Sequence, residues 1–241
     1  MNTLSILVAA LLPAILLWLY IWKKDTKKEP TSWLVKAFLW GIIICIPVAI
    51  VEAGLGYILL GDGGKPSSLL DTTIVAFVVA AIPEESFKLL ALWLILRKNP
   101  YFDEHFDSIV YAVCIGLGFA ALENIGYVFG ANGGMFTAIM RALLAVPGHY
   151  AFAILMGYYY SIYHFVDHSP KVAVCILLVP VIAHGVYDSL AMSGFVDPIV
   201  GGISFFILVF FCIKMHKYSR GKMMAQIERD KKRNNNNKWE A

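Results

Sequence analysis

The stretch AIPEESFKLLALW, residues 81–93, sets two carboxylates and an amine into a run that is otherwise apolar. Glu84 and Lys88 are four residues apart and Glu85 and Lys88 are three apart, so on a helix both acids can reach the same ammonium group. Pro83 precedes them and is expected to break the backbone hydrogen bonding of the turn before it, because proline lacks an N–H. Ionisable groups inside such a run usually face the protein interior and serve a function.

Three further apolar runs also carry polar residues near their middle. FAALENIGY contains Glu123 and Asn124, PGHYAF contains His149, and AHGVYDSL contains His184 and Asp188, which are again four residues apart. A charge at the centre of a bilayer costs about 2.5–3.5 kcal/mol on insertion scales. Since several carboxylates facing lipid would cost as much as a whole domain's stability, we expect these groups to converge at one depth.

Two neighbours of these residues have simpler expected roles. Phe119 precedes Glu123 by four residues and is expected to form a wall beside it. Arg141 lies a turn or two from the end of its run and is expected to extend toward the surface or to pair with a neighbour. Asn124 could either join helices or donate a hydrogen bond to a substrate.

The chemistry that these groups suit is hydrolysis of a peptide bond inside the bilayer by an activated water molecule. An apolar pocket and a second carboxylate make a glutamate a stronger base, so Glu84 or Glu85 can act as general base near neutral pH. Lys88 would keep one of the two ionised, with His184 as the main partner of the base. Histidine and asparagine side chains could donate hydrogen bonds to the oxyanion of a tetrahedral intermediate.

Other classes of protein use the same residue types. Glu, His and Asp from four helices can bind one or two divalent ions, so a metal-dependent membrane hydrolase is an alternative, although the sequence has no His-Glu-x-x-His motif. A proton- or ion-coupled transporter also carries such residues at mid-membrane, but no internal repeat is present. The groups could also serve only to hold helices together. Our preferred hypothesis, a glutamic-type peptidase, needs no cofactor and no metal.

Composition and run length predict the elements that must position these groups. Of the 241 residues 59% are hydrophobic and 15% charged, with a mean hydropathy of +0.68, which is typical of a polytopic membrane protein rather than a soluble domain. Each apolar run is close to the roughly 20 residues that a spanning helix needs. We predict an all-α transmembrane helix bundle of about seven spans: 4–22, 33–60, 69–96, 106–129, 135–163, 172–192 and 198–213.

The distribution of basic residues predicts the orientation of these spans. One set of loops carries Lys23, Lys24, Lys27, Lys28, Arg97, Lys98, Lys171 and the basic tail, whereas the opposite set contains only Lys65. The positive-inside rule therefore puts the N-terminus outside and the C-terminus in the cytoplasm. We divide the chain into a transmembrane protease domain, 1–218, and a basic, Asn-rich cytoplasmic tail, 219–241, expected to form a short surface helix followed by disorder. Because the basic residues lie at span ends next to lipid headgroups, the net charge of +3 indicates no nucleic-acid partner.

The polar residues, taken in order, resemble a known family. The pattern resembles the PrsW family of glutamic intramembrane proteases across about residues 80–190, and is similar to the broader CAAX-protease and bacteriocin-processing group. That group has a paired-Glu motif, then Phe-x-x-x-His, then His-x-x-x-Asn. The residues that carry the resemblance are Glu84-Glu85-Ser-Phe-Lys88, Phe119-x-x-x-Glu123-Asn124-x-x-Tyr127, His149 within PGHYAFAILMGYYY, and His184-x-x-x-Asp188.

The resemblance implies roles and a biological setting. Glu84 would activate water, Glu123 would stand where the broader group has its first histidine, and the departure at Glu123 and Asp188 is shared with PrsW. An ionised Asp188 cannot donate a hydrogen bond, so the oxyanion donor stays open. Members cut a membrane-anchored anti-sigma factor, which implies a bacterial cell-membrane protein with a single-pass substrate. The expected catalytic residues are Glu84, Glu85, Glu123 and His184, supported by Lys88, Asn124, His149 and Asp188.

Overall fold

The computed structural model describes residues 3–62, 64–130 and 133–237, and within them every regular element is helical. The predicted all-α membrane bundle is confirmed. Short π-helical segments at Val75–Ala81 and Arg141–Ala145 each continue directly into a following α-helix, and a 3₁₀ turn spans Ser193–Phe195. The helices are α1 (Thr3–Lys24), α2 (Thr31–Leu60), α3 (Leu69–Ile74), α4 (Ile82–Leu96), α5 (Asp107–Phe129), α6 (Met135–Met140), α7 (Val146–Phe165), α8 (Pro170–Met192) and α9 (Pro198–Asn237).

Within the described residues, six helical segments are long and apolar enough to cross a membrane: α1, α2, α5, residues 135–165, α8 and α9. The segment 69–96, made of α3, its π-helical continuation and α4, is also long enough. It differs from the other six because it carries Glu84, Glu85 and Lys88. Six of the seven predicted spans are thus found by length and apolar character, and 69–96 stays a predicted span that carries the charged residues of the candidate site.

Burial separates central helices from peripheral ones. In the most apolar stretch of each span, 78% of residues are buried in α5 and 61% in the α6–α7 segment, against 17–33% in α1, α2, α8 and α9. The outer helices expose large apolar side chains such as Ile50, Ile58 and Phe206. A surface of this kind is suited to hydrocarbon rather than water. Helices α5 and α7 therefore form the core, and both carry site residues.

Glycines let the core helices approach closely. A Cβ added at Gly118 of α5 would lie 2.1 Å from the carbonyl oxygen of Phe38, and one at Gly41 of α2 would lie 2.1 Å from that of Ile115. Small residues at such crossings let helix backbones touch in membranes. Close packing is therefore found at Gly118, whereas Gly126 on the same helix has no atom within 4 Å of its Cβ position.

Helix α9 corrects the expectation for the C-terminal tail. It continues through Asn237 as one helix, although we predict a separate surface helix and then disorder; residues 238–241 lie outside the described part. The extension is held because the Asp230 carboxylate accepts hydrogen bonds from the backbone N–H groups of His105 and Phe106, both at 2.8 Å. Ile227 packs into the main apolar core. Tertiary contacts thus order a segment whose composition is typical of disorder.

Candidate active site

The ammonium group of Lys88 lies at the centre of the candidate site. Its Nζ is 2.8 Å from Glu84 Oε2 and 2.8 Å from Glu85 Oε1, which confirms the predicted pairing on one face of α4. It also donates to His149 Nδ1 of α7 at 3.1 Å and lies 4.2 Å from the centre of the Phe119 ring. One buried cation therefore joins α4 to α5 and α7, and Phe119 walls the site as expected.

His149 carries this network onward to α5. Its Nε2 is 2.8 Å from Glu123 Oε2. Because an ammonium group can only donate, Nδ1 of His149 must accept from Lys88, and Nε2 then carries the proton that is donated to Glu123. The tautomer of His149 is thus set by its two neighbours.

His184 of α8 lies between two carboxylates. Its Nδ1 is 2.9 Å from Glu85 Oε1, and its Nε2 is 3.1 Å from Asp188 Oδ2, one turn later on the same helix. Since ionised carboxylates only accept hydrogen bonds, a doubly protonated ring satisfies both partners. The ring also stacks on Phe152, with centroids 4.7 Å apart and planes at 20°.

Arg141 and Asn124 form the other end of the network. Arg141 Nη2 is 2.8 Å from Glu123 Oε2, and its Nε donates to Asn124 Oδ1 at 2.5 Å. The Asn124 amide in turn donates to the carbonyl oxygen of Ala10 in α1 at 2.9 Å. Of the two roles considered for Asn124, the structure favours helix joining, because its donor is engaged by α1. Arg141 pairs with a neighbour, as one of the two expectations stated, and its guanidinium lies over Tyr127.

Burial varies across the network. The side chains of Lys88, Glu85 and His184 are at most 5% exposed, whereas those of Glu123 and Asp188 are 17% and 21% exposed. The site is therefore closed to solvent around Lys88, Glu85 and His184, and partly open at its rim, around Glu123 and Asp188.

Local backbone features place these side chains. Pro83 and Pro147 each lie at the second position of a helix that follows a π-helical segment, as expected where a proline lacks the N–H that the preceding turn needs. Glu84 and His149 come directly after these breaks. At Gly185, a Cβ would lie 2.5 Å from ring atoms of Phe77, so the missing side chain lets α8 approach the π-helical segment and brings His184 to Glu85.

Three contributors were missed by the sequence analysis. Arg141 was not assigned to the site, and Phe152 gave no signal beyond being apolar. Glu52, half-buried on α2, is close enough to Glu84 and Glu123 to interact with them electrostatically. It is the only charged residue between Lys36 and Asp62, a signal that would have identified it. All eight residues that were predicted for the site lie in one connected network of hydrogen bonds and ion pairs.

Fold and network together define a multi-span helical membrane protein with a buried centre of carboxylates, imidazoles and one ammonium group. Residues 29–215 match the model of the PrsW family, described as PrsW family intramembrane metalloprotease. Curated proteins named Protease PrsW are similar along most of their length. The protein of Geobacillus kaustophilus is 35% identical over 78% of this chain and 80% of its own, that of Clostridioides difficile 31% over 95% and 94%, and that of Bacillus subtilis 31% over 92% and 99%.

The chain therefore belongs to the PrsW family and is a membrane protease. No solved structure matches it. The membership favours a hydrolase over the transporter considered above.

The description of the family as metalloproteases calls for a test of the site. One ligand atom from each of four residues, Glu84, Glu85, His149 and His184, lies within 4.8 Å of the others. Two carboxylates and two imidazoles are suitable ligands for zinc or a related ion, and Glu85 Oε2 is buried without a hydrogen-bond partner. The donor chemistry thus fits a metal. However, Lys88 Nζ already contacts three of the four residues, so its ammonium group would compete with a metal ion for their ligand atoms.

Proposed function

We propose that this chain is an intramembrane endopeptidase in which a glutamate of α4 activates water for attack on a peptide bond. The observation that carries the proposal is the continuous hydrogen-bonded chain from Glu123 through His149, Lys88 and Glu85 to His184. Four helices contribute to it, far more than is needed to hold two helices together. Hydrogen bonds between buried polar groups also hold the groups in defined positions, as catalysis requires.

Glu84 is the better candidate for the base. Glu85 is fully buried, and its Oε1 accepts from both Lys88 and His184. Glu84 accepts from Lys88 only, with His184 Nδ1 4.0 Å away. A carboxylate with fewer donors is freer to bind and deprotonate water. We therefore assign water activation to Glu84 and the positioning of Lys88 and His184 to Glu85.

The proposed reaction needs only proton transfers and one nucleophilic attack. Glu84 takes a proton from water as the oxygen attacks the scissile carbonyl carbon, and the negative charge collects on the carbonyl oxygen. Two cationic groups of the network, the buried His184 ring and the Arg141 guanidinium, are suited to stabilise that oxygen. When the C–N bond breaks, Glu84 returns the proton to the leaving amine. The products are then a new carboxyl terminus and a new amino terminus.

A metal-dependent reaction is the second candidate, favoured by the donor set of Glu84, Glu85, His149 and His184. A bound divalent ion would polarise the carbonyl or lower the pKa of a water molecule. Such an ion would compete with the Lys88 ammonium group for these ligand atoms. Metal analysis of active, purified enzyme and its sensitivity to chelators separate the two candidates.

We propose a single-pass membrane protein as substrate, specifically a membrane-anchored anti-sigma factor, on the basis of the family resemblance. The partly open side of the site, at Glu123 and Asp188, is where an unwound segment could reach the base. The lipid-facing surfaces of the outer helices provide the setting for a substrate helix to approach within the bilayer.

The test is cleavage of a co-expressed, tagged anti-sigma factor with a transmembrane helix. Changing Glu84, Glu85 or His184 singly to Ala should abolish cleavage while the protein still accumulates in the membrane. Glu228→Gln, on an exposed part of α9, is the matched control and should cleave normally. Full cleavage by all three alanine variants would reject the proposal. Cleavage of other membrane segments but not of the anti-sigma factor would reject only the substrate.

A further inference from the structure

A second group of carboxylates lies away from the active site, at the end of the bundle formed by the loop after α1 and the loop before α5. Asp25 follows α1, Glu104 lies in the loop before α5, and Asp107 begins α5. All three are at most 3% exposed. One carboxylate oxygen from each lies within 4.8 Å of those of the other two. Three acids so close together and so well buried repel one another unless a positive charge or protons offset them.

The nearby basic side chains are engaged elsewhere. Lys27 pairs with Asp103, outside the group. The Lys28 ammonium donates to the backbone carbonyl oxygens of Trp22 and Asp25. Within residues 3–62, 64–130 and 133–237, no ion pair within 4.0 Å involves Asp25, Glu104 or Asp107. Among the described residues, the group therefore has no cation at contact distance.

Two of the acids also have a buried oxygen that receives no hydrogen bond from the described part of the chain. Asp107 Oδ2 accepts from the backbone N–H groups of Asp103 and Glu104, at 3.0 and 2.7 Å, but its Oδ1 has no partner. Glu104 Oε1 accepts from Asn234 at 2.8 Å, but its Oε2 has none. Buried oxygens left without a partner are costly, and here two of them belong to adjacent carboxylates.

We propose that Asp25, Glu104 and Asp107 bind a hard divalent cation, Mg²⁺ or Ca²⁺. Carboxylate oxygens are the preferred ligands of both ions. A cation would coordinate the two oxygens that lack a donor and would offset the repulsion between the three carboxylates. Such a site would join three parts of the chain: the loop between α1 and α2, the loop before α5 and, through Asn234, the end of α9. This structural site is distinct from the active site and does not depend on the proposed catalytic mechanism.

The experiment measures cation-dependent stability of the full chain, purified in detergent and stripped with chelator. Mg²⁺ or Ca²⁺, added in separate titrations, should raise the Tm in a saturable manner, because a ligand that binds only the folded state stabilises it. Tb³⁺ should give luminescence sensitised by the nearby aromatic residues, and the effective cation should displace it. If neither cation changes the Tm and Tb³⁺ gives no signal, the group is neutralised by protons and the proposal is wrong.

Variants assign the response to this group. Glu104→Gln and Asp25→Asn should each lose the rise in Tm and most of the Tb³⁺ signal. Glu228→Gln, the exposed control at the same end of α9, and Glu84→Gln, in the active site, should keep both. A response lost in Glu84→Gln but kept in Glu104→Gln would move the cation to the active site and overturn the proposal. If Glu104→Gln does not fold, Asp25→Asn provides the same comparison.

Discussion

At the scale of residues, Lys88 explains why a membrane-spanning segment can carry two adjacent glutamates. Its ammonium group contacts both acids and His149, at 2.8, 2.8 and 3.1 Å. A buried charge is tolerated only when it is paired and hydrogen-bonded. We therefore expect Lys88 to contribute to folding as well as to the proposed chemistry, in which Glu84, with fewer partners, is our candidate for the base.

The two glutamates should respond differently to the same isosteric change. Glu84→Gln should lower the cleavage rate by about 10²–10⁴-fold, the typical contribution of a general base, with little change in Tm. Glu85→Gln should lower the Tm as well, because it removes a charge bound by two donors. Cleavage assays and thermal unfolding in detergent measure both effects. A stable but inactive Glu85→Gln protein together with a destabilised Glu84→Gln protein would reverse our assignment.

The pair of Arg141 and Glu123 should show strong coupling. Arg141→Met leaves the Glu123 carboxylate with His149 alone. Breaking a fully buried pair costs about 3–5 kcal/mol, and the loss here should be smaller because the two side chains are 15% and 17% exposed. Adding Glu123→Gln should recover part of that loss, because no uncompensated charge then remains. The measurement is a double-mutant cycle on the free energy of unfolding in detergent. Additive effects of the two changes would contradict the pairing.

At the scale of elements, prolines and glycines position the site. Pro83 and Pro147 follow π-helical segments in the two spans that carry Glu84 and His149. A π-helical segment contains an extra residue in its turn, so the helix after it is rotated about the helix axis relative to the helix before it. The polar face can therefore turn toward the protein interior after an apolar first part of the span. The sequence predicts the break at Pro83, since the missing N–H is a local property. The rotation that results depends on the packing of neighbouring helices.

Close helix crossings should be sensitive to a single methyl group. Gly118→Ala places a Cβ 2.1 Å from the carbonyl oxygen of Phe38, and overpacking of this kind costs about 1–3 kcal/mol. Gly126→Ala on the same helix meets no atom within 4 Å and should be neutral or slightly stabilising. Thermal unfolding of the two variants tests the crossing of α2 and α5. Equal Tm values for the two would mean that the helices do not approach so closely.

At the scale of the whole molecule, the basic loops gather at one end of the bundle. Lys27, in the loop after α1, pairs with Asp103 in the loop before α5, and Arg233 near the end of α9 donates to the carbonyl oxygen of Asp103. These segments therefore share one side of the membrane, as the charge pattern predicts. Which side faces the cytoplasm stays a prediction.

The orientation can be tested with fusions at the two ends. With the C-terminus in the cytoplasm, a C-terminal green fluorescent protein should fluoresce and a C-terminal alkaline phosphatase should be inactive. Fusing alkaline phosphatase after Asp62, in the loop that follows α2, should give activity. The reverse pattern would invert the predicted topology and place the proposed cation site outside the cell.

The sequence by itself determined the fold class, the approximate spans and the positions of the polar residues. These depend on hydropathy, bilayer thickness and the spacing of three or four residues along a helix, which are all local properties. The link of Glu84 and Glu85 to Lys88 is of this kind, and so is that of His184 to Asp188.

The tertiary structure alone decided which helices meet. The contacts of Lys88 with His149 and of Glu85 with His184 join residues 61 and 99 positions apart. Arg141 and Glu52 also come near the site only through partners on other helices. The order of α9 through Asn237 depends on distant partners in the same way. Hydropathy specifies that a helix crosses the membrane but not how it is rotated about its axis. That rotation is set by side-chain packing and by glycines at the crossings, which only the assembled bundle contains.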